Sequence, residues 1–299
     1  MNPTYVFVHG SGSSGRAWST VQQEMALRGH RTLAVDLPGR GAGFSQAYHD
    51  QDLKTFATEP SSLADVTAEQ TIGHVIDVVR RVHEHGPVIL AGHSFGGLVI
   101  TAVANAVPDL LSHLVYIAAQ CPVSSAAAEY PAGPAWASSD FLPAAMAITV
   151  GNPADLGFIR LNWRGADPAI LERLRRALAA ELTPEQYLGL IAYTQPDEIF
   201  WQTDPAWDHR ADKATWGRVP RTFVRTGLDR AMPPEAQDLY ITEANALTPA
   251  NPFAVHTIPS SHTGFFRGPA ELADILHDLR HCRGEKQTTE TLCANRMVR

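Results

Sequence analysis

The residues with the clearest chemical signature are Gly92-His93-Ser94-Phe95-Gly96, in which a serine stands between two glycines in the pattern G-x-S-x-G. A serine hydroxyl is a poor nucleophile near neutral pH and needs a base within hydrogen-bond reach. The flanking glycines fit a sharp turn that exposes the hydroxyl, because the backbone there leaves no room for side chains. The pattern predicts Ser94 as a nucleophile. The alternative is a tight glycine turn with a capping serine.

Two later residues are suited to be the base and the acid that such a serine needs. His262 lies in a turn after the apolar run 253–258, and Asp229 is the only carboxylate in the turn after the run 221–225. An acid at that place can hold the imidazole in the correct tautomer and stabilise its charged form. We therefore predict a triad of Ser94, Asp229 and His262. The alternative for Asp229 is a simple turn cap.

The loop His9-Gly10-Ser11-Gly12, after the first apolar run, is predicted to stabilise a developing oxyanion. Such a charge needs fixed hydrogen-bond donors. The predicted donors are the backbone N–H groups of Phe95, directly after the serine, and of Ser11. The alternative is a phosphate-binding glycine turn. The loop has neither the Lys-Ser/Thr ending nor the G-x-G-x-x-G spacing of nucleotide sites, so we discount nucleotides.

A substrate pocket is expected beside these turns. The residues predicted to bind substrate are Gly10, His93, Met146, Trp163 and Tyr193. Pockets for small molecules are lined mainly by apolar and aromatic side chains, which the last three supply. His93 is expected to point away from the tip of the turn and to pack beside the site. For any single aromatic residue, packing within its own segment is the alternative.

The elements that must position these residues alternate along the chain. Short apolar runs that end in turn signals predict strands, and apolar residues at three-to-four spacing predict helices. The predicted strands are 5–8, 31–35, 88–91, 114–118, 221–225 and 253–258, and the predicted helices of this part are 18–28, 67–85, 98–106 and 269–281. The alternation indicates an α/β fold with a mostly parallel central sheet and helices on both faces. The polar residues 41–62 are predicted to form a long loop.

The alternation stops in the middle of the chain. Between Cys121 and Ala214 we find no convincing strand, but two helical stretches at 168–180 and 184–192. Loops rich in proline, tryptophan and alanine connect them, which is typical of an inserted helical cap. The predicted organisation is a core of residues 1–120 and 215–283, a cap of residues 121–214 and a flexible tail of residues 284–299.

Composition narrows the class of protein. The chain has 299 residues, of which 44% are hydrophobic, and a net charge of −7. A packed core is expected, and general attraction to nucleic acids or anionic membranes is not. No apolar stretch approaches the ~18–20 residues that cross a bilayer, and we see no signal peptide. Three cysteines without CxxC spacing argue against a disulfide framework and a zinc site and fit the cytoplasm.

The motifs together resemble the plant-type methyl esterase and hydroxynitrile lyase group of α/β-hydrolases, which includes salicylate esterase-like proteins. The resemblance rests on Phe-Val-His-Gly-Ser at 7–11, Gly-His-Ser-Phe-Gly-Gly at 92–97, the run 218–234 and Ser-Ser-His-Thr-Gly-Phe-Phe at 260–266. It implies the α/β-hydrolase fold, the same triad and oxyanion donors as above, and no cofactor or metal.

Two departures from that family pattern bear on function. The loop from Ser11 to Trp18 is slightly longer, and Thr263 stands where one group of the lyases carries a lysine. The missing lysine disfavours a lyase of that type. Because the cap also departs in sequence, the resemblance does not imply a particular substrate.

The sequence leads to one favoured function and two alternatives. The favoured function is hydrolysis of a carboxylic ester of a small apolar molecule through an acyl-enzyme. One alternative is a lyase, or an acyl-transfer, cyclising or thioesterase enzyme of secondary metabolism, that uses the same triad. The other is a small-molecule receptor without turnover, against which an intact triad argues. The expected partner is a small-molecule ester, and a homodimer is the assembly considered beside a monomer.

Overall fold

The computed structural model describes residues 2–41, 43–165, 167–199 and 205–279. Within these ranges, a central sheet has six parallel strands in the order β2-β1-β3-β4-β7-β8. The strands are β1 (Thr4–Val8), β2 (Arg31–Val35), β3 (Val88–His93), β4 (Leu111–Ile117), β7 (Arg221–Thr226) and β8 (Ala254–Ile258). The predicted α/β architecture is therefore confirmed.

Helices cover both faces of this sheet. The helices that follow its strands are α1 (Ser19–Leu27), α4 (Ala68–His83), α5 (Gly96–Ala106), α10 (Pro234–Leu247) and α11 (Ala270–Asp278). Strand β1 shows why its apolar run is continuous. Val6 and Val8 pack in the cluster with α4, α5 and α10, whereas Tyr5 and Phe7 pack in the cluster with α1 and α11. Successive side chains of a strand point to opposite faces, so a strand buried on both faces needs apolar residues throughout.

Two parts of the outer layer differ from the sequence prediction. The expected loop 41–62 contains two short helices, α2 (Gln46–Asp50) and α3 (Leu53–Phe56). They are capped at their N-termini by Ser45 and Asp52, whose side chains accept hydrogen bonds from the backbone N–H groups of Tyr48 and Thr55. Polar residues that favour loops are also the residues that cap helices, which is why the prediction was wrong.

Besides short 3-10 turns, the described part of the segment between β4 and β7 contains four α-helices and two short strands. These are α6 (Phe141–Ala147), α7 (Pro153–Leu156), β5 (Phe158–Arg160), α8 (Pro168–Leu178), α9 (Pro184–Ile191) and β6 (Asp197–Ile199). Strands β5 and β6 pair antiparallel, so the prediction that this segment has no strand was wrong. Each strand has only three residues, and the buried Arg160 interrupts any apolar run in β5.

The inserted segment has a core of its own and also contacts the core under the sheet. Trp163, Leu174 and Tyr187 belong to a hydrophobic cluster formed within the segment. In contrast, Trp136 and Trp207, nearer its two ends, pack in the cluster beneath the sheet. Apolar side chains near both ends of the segment therefore pack against the sheet. The cap boundaries of 121 and 214 stay a prediction.

Three further predictions from the sequence concern the C-terminal tail, the cysteines and membrane spans. The predicted tail 284–299 lies outside the described residues, as do Cys282 and Cys293. Cys121 is buried and has no disulfide partner among the described residues. In the described ranges, no helix combines the length and the hydropathy that a membrane span requires.

Candidate active site

Ser94 lies in the sharp turn between β3 and α5. Its φ of 53° is in the left-handed region, which costs a residue with a side chain about 1–3 kcal/mol. The glycines on either side are required by close backbone contacts. A Cβ on Gly92 would lie 2.6 Å from the carbonyl oxygen of Gly96, and one on Gly96 would lie 2.7 Å from that of Val8. The turn therefore needs both glycines and holds the serine in a strained conformation at the end of the sheet.

The three predicted triad residues meet at the carboxyl end of the sheet. His262 Nε2 lies 3.0 Å from Ser94 Oγ, and His262 Nδ1 lies 2.7 Å from Asp229 Oδ2. Asp229 follows β7 and His262 follows β8, and parallel neighbouring strands end at the same edge. Asp229 and His262 are only 3% and 5% exposed, so water does not compete strongly for their hydrogen bond.

Asp229 makes the contacts of a turn cap and also those of a triad acid, the two roles that the sequence left open. Its Oδ1 accepts hydrogen bonds from the backbone N–H groups of Ala231 and Met232, each at 2.8 Å, as a turn cap does. Its Oδ2 accepts the hydroxyl of Thr226 at 2.8 Å and also faces the imidazole of His262. The turn contacts therefore fix the carboxylate in the orientation that its contact with His262 needs.

The loop after β1 packs directly against the serine. A Cβ on Gly10 would lie 2.9 Å from Ser94 Cβ, which only glycine avoids. The buried His9 accepts a hydrogen bond from Leu37 N–H through Nε2 at 3.2 Å, so its Nδ1 carries the proton and donates to Gly10 O at 2.9 Å. Burial, with a smaller contribution from the charge of Arg40, lowers the pKa of His9 to about 3 and keeps this tautomer neutral.

The carbonyl of Gly10 and the N–H of Ser11 belong to one peptide group, and in a trans peptide they point in opposite directions. With the carbonyl held by the ring of His9, the Ser11 N–H faces away from that ring. Phe95, the other predicted donor, immediately precedes α5, where the helix dipole favours negative charge. The role of Ser11 and Phe95 as oxyanion donors stays a prediction.

The chain matches the alpha/beta hydrolase family over residues 5–275. It belongs to that family. Methylesterase 17 of Arabidopsis thaliana is 26% identical to this hydrolase over 277 residues, which cover 92% of this chain and 90% of that protein. A pyrethroid hydrolase of Sphingobium wenxiniae is 26% identical over 294 residues, which cover 96% of this chain and 90% of that protein.

Solved structures agree on the fold. The crystal structure of a pyrethroid hydrolase with BIF matches this hydrolase with a TM-score of 0.71 at 22% identity, over 96% of this chain and 100% of that chain. At this identity the likeness shows the fold alone. The predicted α/β-hydrolase fold and the resemblance to plant-type methyl esterases are thus confirmed by the family, the relatives and the solved structure.

His93 contributes to the site of this hydrolase through packing. It is buried, and its Nε2 donates to the backbone carbonyl of His262 at 3.0 Å. Its ring lies edge-on to the rings of Trp18, Phe265 and Phe266. Burial, followed by the charge of His262, lowers the pKa of His93 well below its ordinary value. The neutral ring therefore supports the backbone of the turn that carries His262, and its role in substrate binding stays a prediction.

The other residues predicted to bind substrate have different surroundings. Trp163 is buried and donates from Nε1 to Gln195 O at 3.2 Å. Met146 is 78% exposed and Tyr193 is 56% exposed, with the Arg16 guanidinium 4.0 Å from the centre of the Tyr193 ring. Both therefore lie at the surface rather than in an enclosed pocket, and their contact with substrate stays a prediction.

Sequence reasoning missed the contacts that the inserted segment makes with the turn of His262. Leu178 O, at the end of α8, accepts the Ser261 hydroxyl at 3.1 Å and both the N–H and the hydroxyl of Thr263 at 2.7 Å. Glu181 accepts the N–H of Ser261 at 2.5 Å. The residues on both sides of His262 are thus bound to one short stretch, and no local sequence pattern marks these partners.

The described residues hold few further candidates for a ligand site. Among residues 2–41, 43–165, 167–199 and 205–279, no three His, Cys, Asp or Glu side chains are grouped so that they could hold a metal ion. A cavity of about 280 Å³ is lined by Asp140, Ala169, Glu172, Arg173, Arg176 and Arg230, and none of the triad residues lines it. Three arginines and two carboxylates line it, and one of these arginines, Arg230, is paired with Asp140.

Proposed function

We propose that this hydrolase cleaves carboxylic esters of small apolar molecules through an acyl-enzyme on Ser94. The observation that carries the proposal is the continuous chain of hydrogen bonds from Asp229 through His262 to Ser94, with distances of 2.7 and 3.0 Å. A serine that is activated by a histidine, which is itself oriented by a buried acid, is the arrangement that acyl transfer requires.

The enzyme class follows from the relatives. They are named a methylesterase and a pyrethroid hydrolase, and each covers more than nine-tenths of the chain. The prediction of a carboxylic ester hydrolase is thereby confirmed as a class. Hydrolysis through this triad and the small apolar nature of the substrate are the proposed part.

The proposed reaction has two halves. His262 Nε2 takes the proton of Ser94 as Oγ attacks the ester carbonyl, and the N–H groups of Ser11 and Phe95 bind the resulting oxyanion. The C–O bond to the alcohol then breaks, and His262 returns its proton to the leaving oxygen. A water molecule gives a proton to His262 and attacks the acyl group, and the acid leaves as Ser94 regains its proton.

The same triad also serves the alternative of a lyase or acyl-transfer enzyme. Thr263 distinguishes this hydrolase from lyases that carry a lysine at that position, because its hydroxyl donates to Leu178 O and supplies no charge. Product analysis with a methyl ester, a thioester and a cyanohydrin separates the alternatives. The expected result is that the ester gives an acid and an alcohol and is cleaved with a higher kcat/KM than the thioester, and that the cyanohydrin stays intact.

The experiment that tests the proposal compares Ser94→Ala with Ser112→Ala on short p-nitrophenyl esters. Loss of the nucleophile is expected to lower kcat by about 10⁴-fold or more. Ser112 Oγ donates to Val88 O at the opposite end of β3, so its variant should keep activity within about twofold. Undiminished turnover by the Ser94 variant would contradict the proposed nucleophile.

A further inference from the structure

Gly12, one residue beyond the proposed oxyanion donor, is bound on both sides by the inserted segment. Its N–H donates to Glu198 Oε2 at 2.6 Å, and its carbonyl accepts the N–H of Gln195 at 2.8 Å. Glu198 lies in β6 and Gln195 lies shortly before it. The loop after β1 is therefore attached to a segment that is more than 180 residues away in sequence.

These contacts determine the backbone of Ser11. The peptide before Ser11 is held by His9, which binds Gly10 O, and the peptide after it is held by Glu198, which binds Gly12 N–H. Peptide groups are planar, so two held planes leave the φ and ψ angles of the residue between them little freedom. The direction of the Ser11 N–H thus depends on both His9 and Glu198.

Glu198 is itself held in a buried ion pair. Glu198 and Arg40 are only 6% and 7% exposed. Arg40 Nη2 binds Glu198 Oε1, and the same oxygen accepts a hydrogen bond from Ile199 N–H at 2.7 Å. A buried ion pair is often no more stabilising than well-packed apolar residues of similar volume. Stability alone therefore does not explain this pair, whereas its second oxygen accounts for the position of Gly12.

We propose that Glu198 is a positioning residue that keeps the Ser11 N–H directed at the oxyanion. Through Glu198 and Gln195, the inserted segment completes the catalytic geometry of the sheet edge. The inference rests on the proposed function, since it assigns a role to a donor of that same reaction. Glu198 acts through Gly12 and needs no contact with the substrate.

A second ion pair, which joins β5 to the same strand β6, provides a control. Arg160 on β5 binds Asp197 on β6 at 2.7 Å, and Arg160 is as buried as Arg40. Its remaining bonds go to the carbonyls of Phe56 and Glu59 near the end of α3. Asp197→Asn therefore perturbs β6, the strand that also carries Glu198. The partner of Asp197 is Arg160, which binds the end of α3 and does not contact Gly12.

The experiment compares two double variants that both remove the buried charges. Arg40→Gln with Glu198→Gln keeps two amide oxygens in place of the two carboxylate oxygens, so that the new side chain at position 198 can accept Gly12 N–H while the one at position 40 accepts Ile199 N–H. Arg40→Met with Glu198→Met removes both acceptors. For each variant, kcat is measured on a p-nitrophenyl ester per serine titrated by a fluorophosphonate. A trifluoromethyl ketone, which forms an oxyanion on the serine, measures the donor directly.

The glutamine pair is expected to keep kcat within about threefold of the wild type. The methionine pair should lose about 10- to 100-fold in kcat at a similar KM, which is part of the ~10²–10³ that loss of one oxyanion donor costs. Its affinity for the ketone should fall by the same factor. A merely structural role would lower the titrated fraction and the Tm without this loss per active site. Equal kcat in the two double variants would overturn the proposal.

The amide resonance of Gly12 provides a second measurement. It tests the proposal even if the methionine pair does not fold, because it uses the single variant Glu198→Gln. In Glu198→Gln the amide proton of Gly12 should move upfield and ketone affinity should fall at least about threefold. Arg40 and Ile199 N–H both donate to Oε1, so the one amide oxygen of glutamine is drawn to them and the charge-assisted hydrogen bond to Gly12 is weakened or lost. Asp197→Asn should change neither. An unchanged resonance and affinity in Glu198→Gln would overturn the proposal. Absence of ester turnover by the wild type would contradict the proposed function alone, since the resonance reports the contact in an inactive protein as well.

Discussion

The carboxyl edge of the sheet and the inserted segment contribute to this site in different ways. The edge supplies the side chains of Ser94, Asp229 and His262 from turns that directly follow strands. The described part of the segment supplies mainly backbone and carboxylate partners for the edge, such as Leu178 O and Glu198. The reactive groups therefore all come from the edge, and some of the groups that orient them come from a segment that has a hydrophobic cluster of its own. The comparison predicts which substitutions remove chemistry and which remove stability.

The largest expected effect is at the edge, in Asp229→Asn. An amide facing His262 Nδ1 would favour the tautomer with the proton on Nε2, which cannot accept the proton of Ser94. We expect kcat to fall by about 10⁴-fold, or roughly 5 kcal/mol of transition-state stabilisation, with little change in Tm. Steady-state kinetics on a p-nitrophenyl ester measures it, with Asp238→Asn as control, since Asp238 pairs with Arg225 at the surface. A loss below tenfold would contradict the role of Asp229.

The second prediction tests whether the segment unfolds separately. Trp163→Ala removes a buried ring from the cluster of the inserted segment and a hydrogen bond to Gln195 O. The expected loss is about 3–5 kcal/mol in the free energy of unfolding. If the two cores are independent, urea unfolding followed by fluorescence shows an early transition that the wild type lacks. A single, uniformly shifted transition would show instead that the segment and the sheet unfold as one unit.

The third prediction concerns the pH dependence of stability, to which the edge contributes through His9 and His93. Burial lowers the pKa of His9 to about 3 and that of His93 well below its ordinary value, so the native protein keeps both neutral. The unfolded chain binds a proton at each near pH ~6.5. The free energy of unfolding is therefore highest above about pH 6.5 and declines below that pH by about 1.4 kcal/mol per pH unit for each histidine. For His9 this decline ends near pH 3.

Urea unfolding between pH 7 and pH 5 measures this slope. In His9→Asn the slope should be smaller by one proton, because asparagine does not titrate in this range. His49→Asn is the matched control, since His49 is exposed. Equal slopes for the wild type and the His9 variant would mean that His9 becomes protonated in the native protein.

The smallest effect is expected at Met146→Ala, on the surface of the inserted segment. With 78% of the residue exposed, its truncation should change the free energy of unfolding by less than about 0.5 kcal/mol and kcat by less than twofold. A change in KM for one ester but not for another would instead place Met146 at the entrance to the substrate site. Thermal unfolding and kinetics with two esters of different acyl length measure both.

The sheet edge could be predicted because its constraints are local. A turn that needs glycine at 92 and 96, and turns that place one carboxylate and one imidazole after strands, limit the residue types at each position. Helix α10 was missed although it belongs to the same core. Its buried stripe consists of Ala236, Gln237, Tyr240 and Ala244, so no run of large aliphatic residues marks it.

The inserted segment could not be predicted in the same way because its contacts are distant in sequence. Strands β5 and β6 have three residues each and pair across about 40 residues of chain. Glu198 finds Arg40 and Gly12 at separations of 158 and 186 residues. A carboxylate in a short polar strand carries no local sign of a buried partner. The sequence therefore predicted a cap, but not the contacts of Glu198 with Gly12 and Arg40.

The three hydrogen bonds to Leu178 O bear on how this hydrolase can be re-engineered. Exchanging the inserted segment for that of a relative would change the residues that are predicted to bind substrate, such as Met146 and Trp163. It would also exchange the carbonyl that accepts the hydrogen bonds of the turn of His262. A graft that ends before 178 or begins after 181 would preserve this support, whereas one that replaces residues 178–181 would alter specificity and rate together. New specificities are therefore best sought by single substitutions that leave Leu178 and Glu181 in place, rather than by exchange of the whole segment.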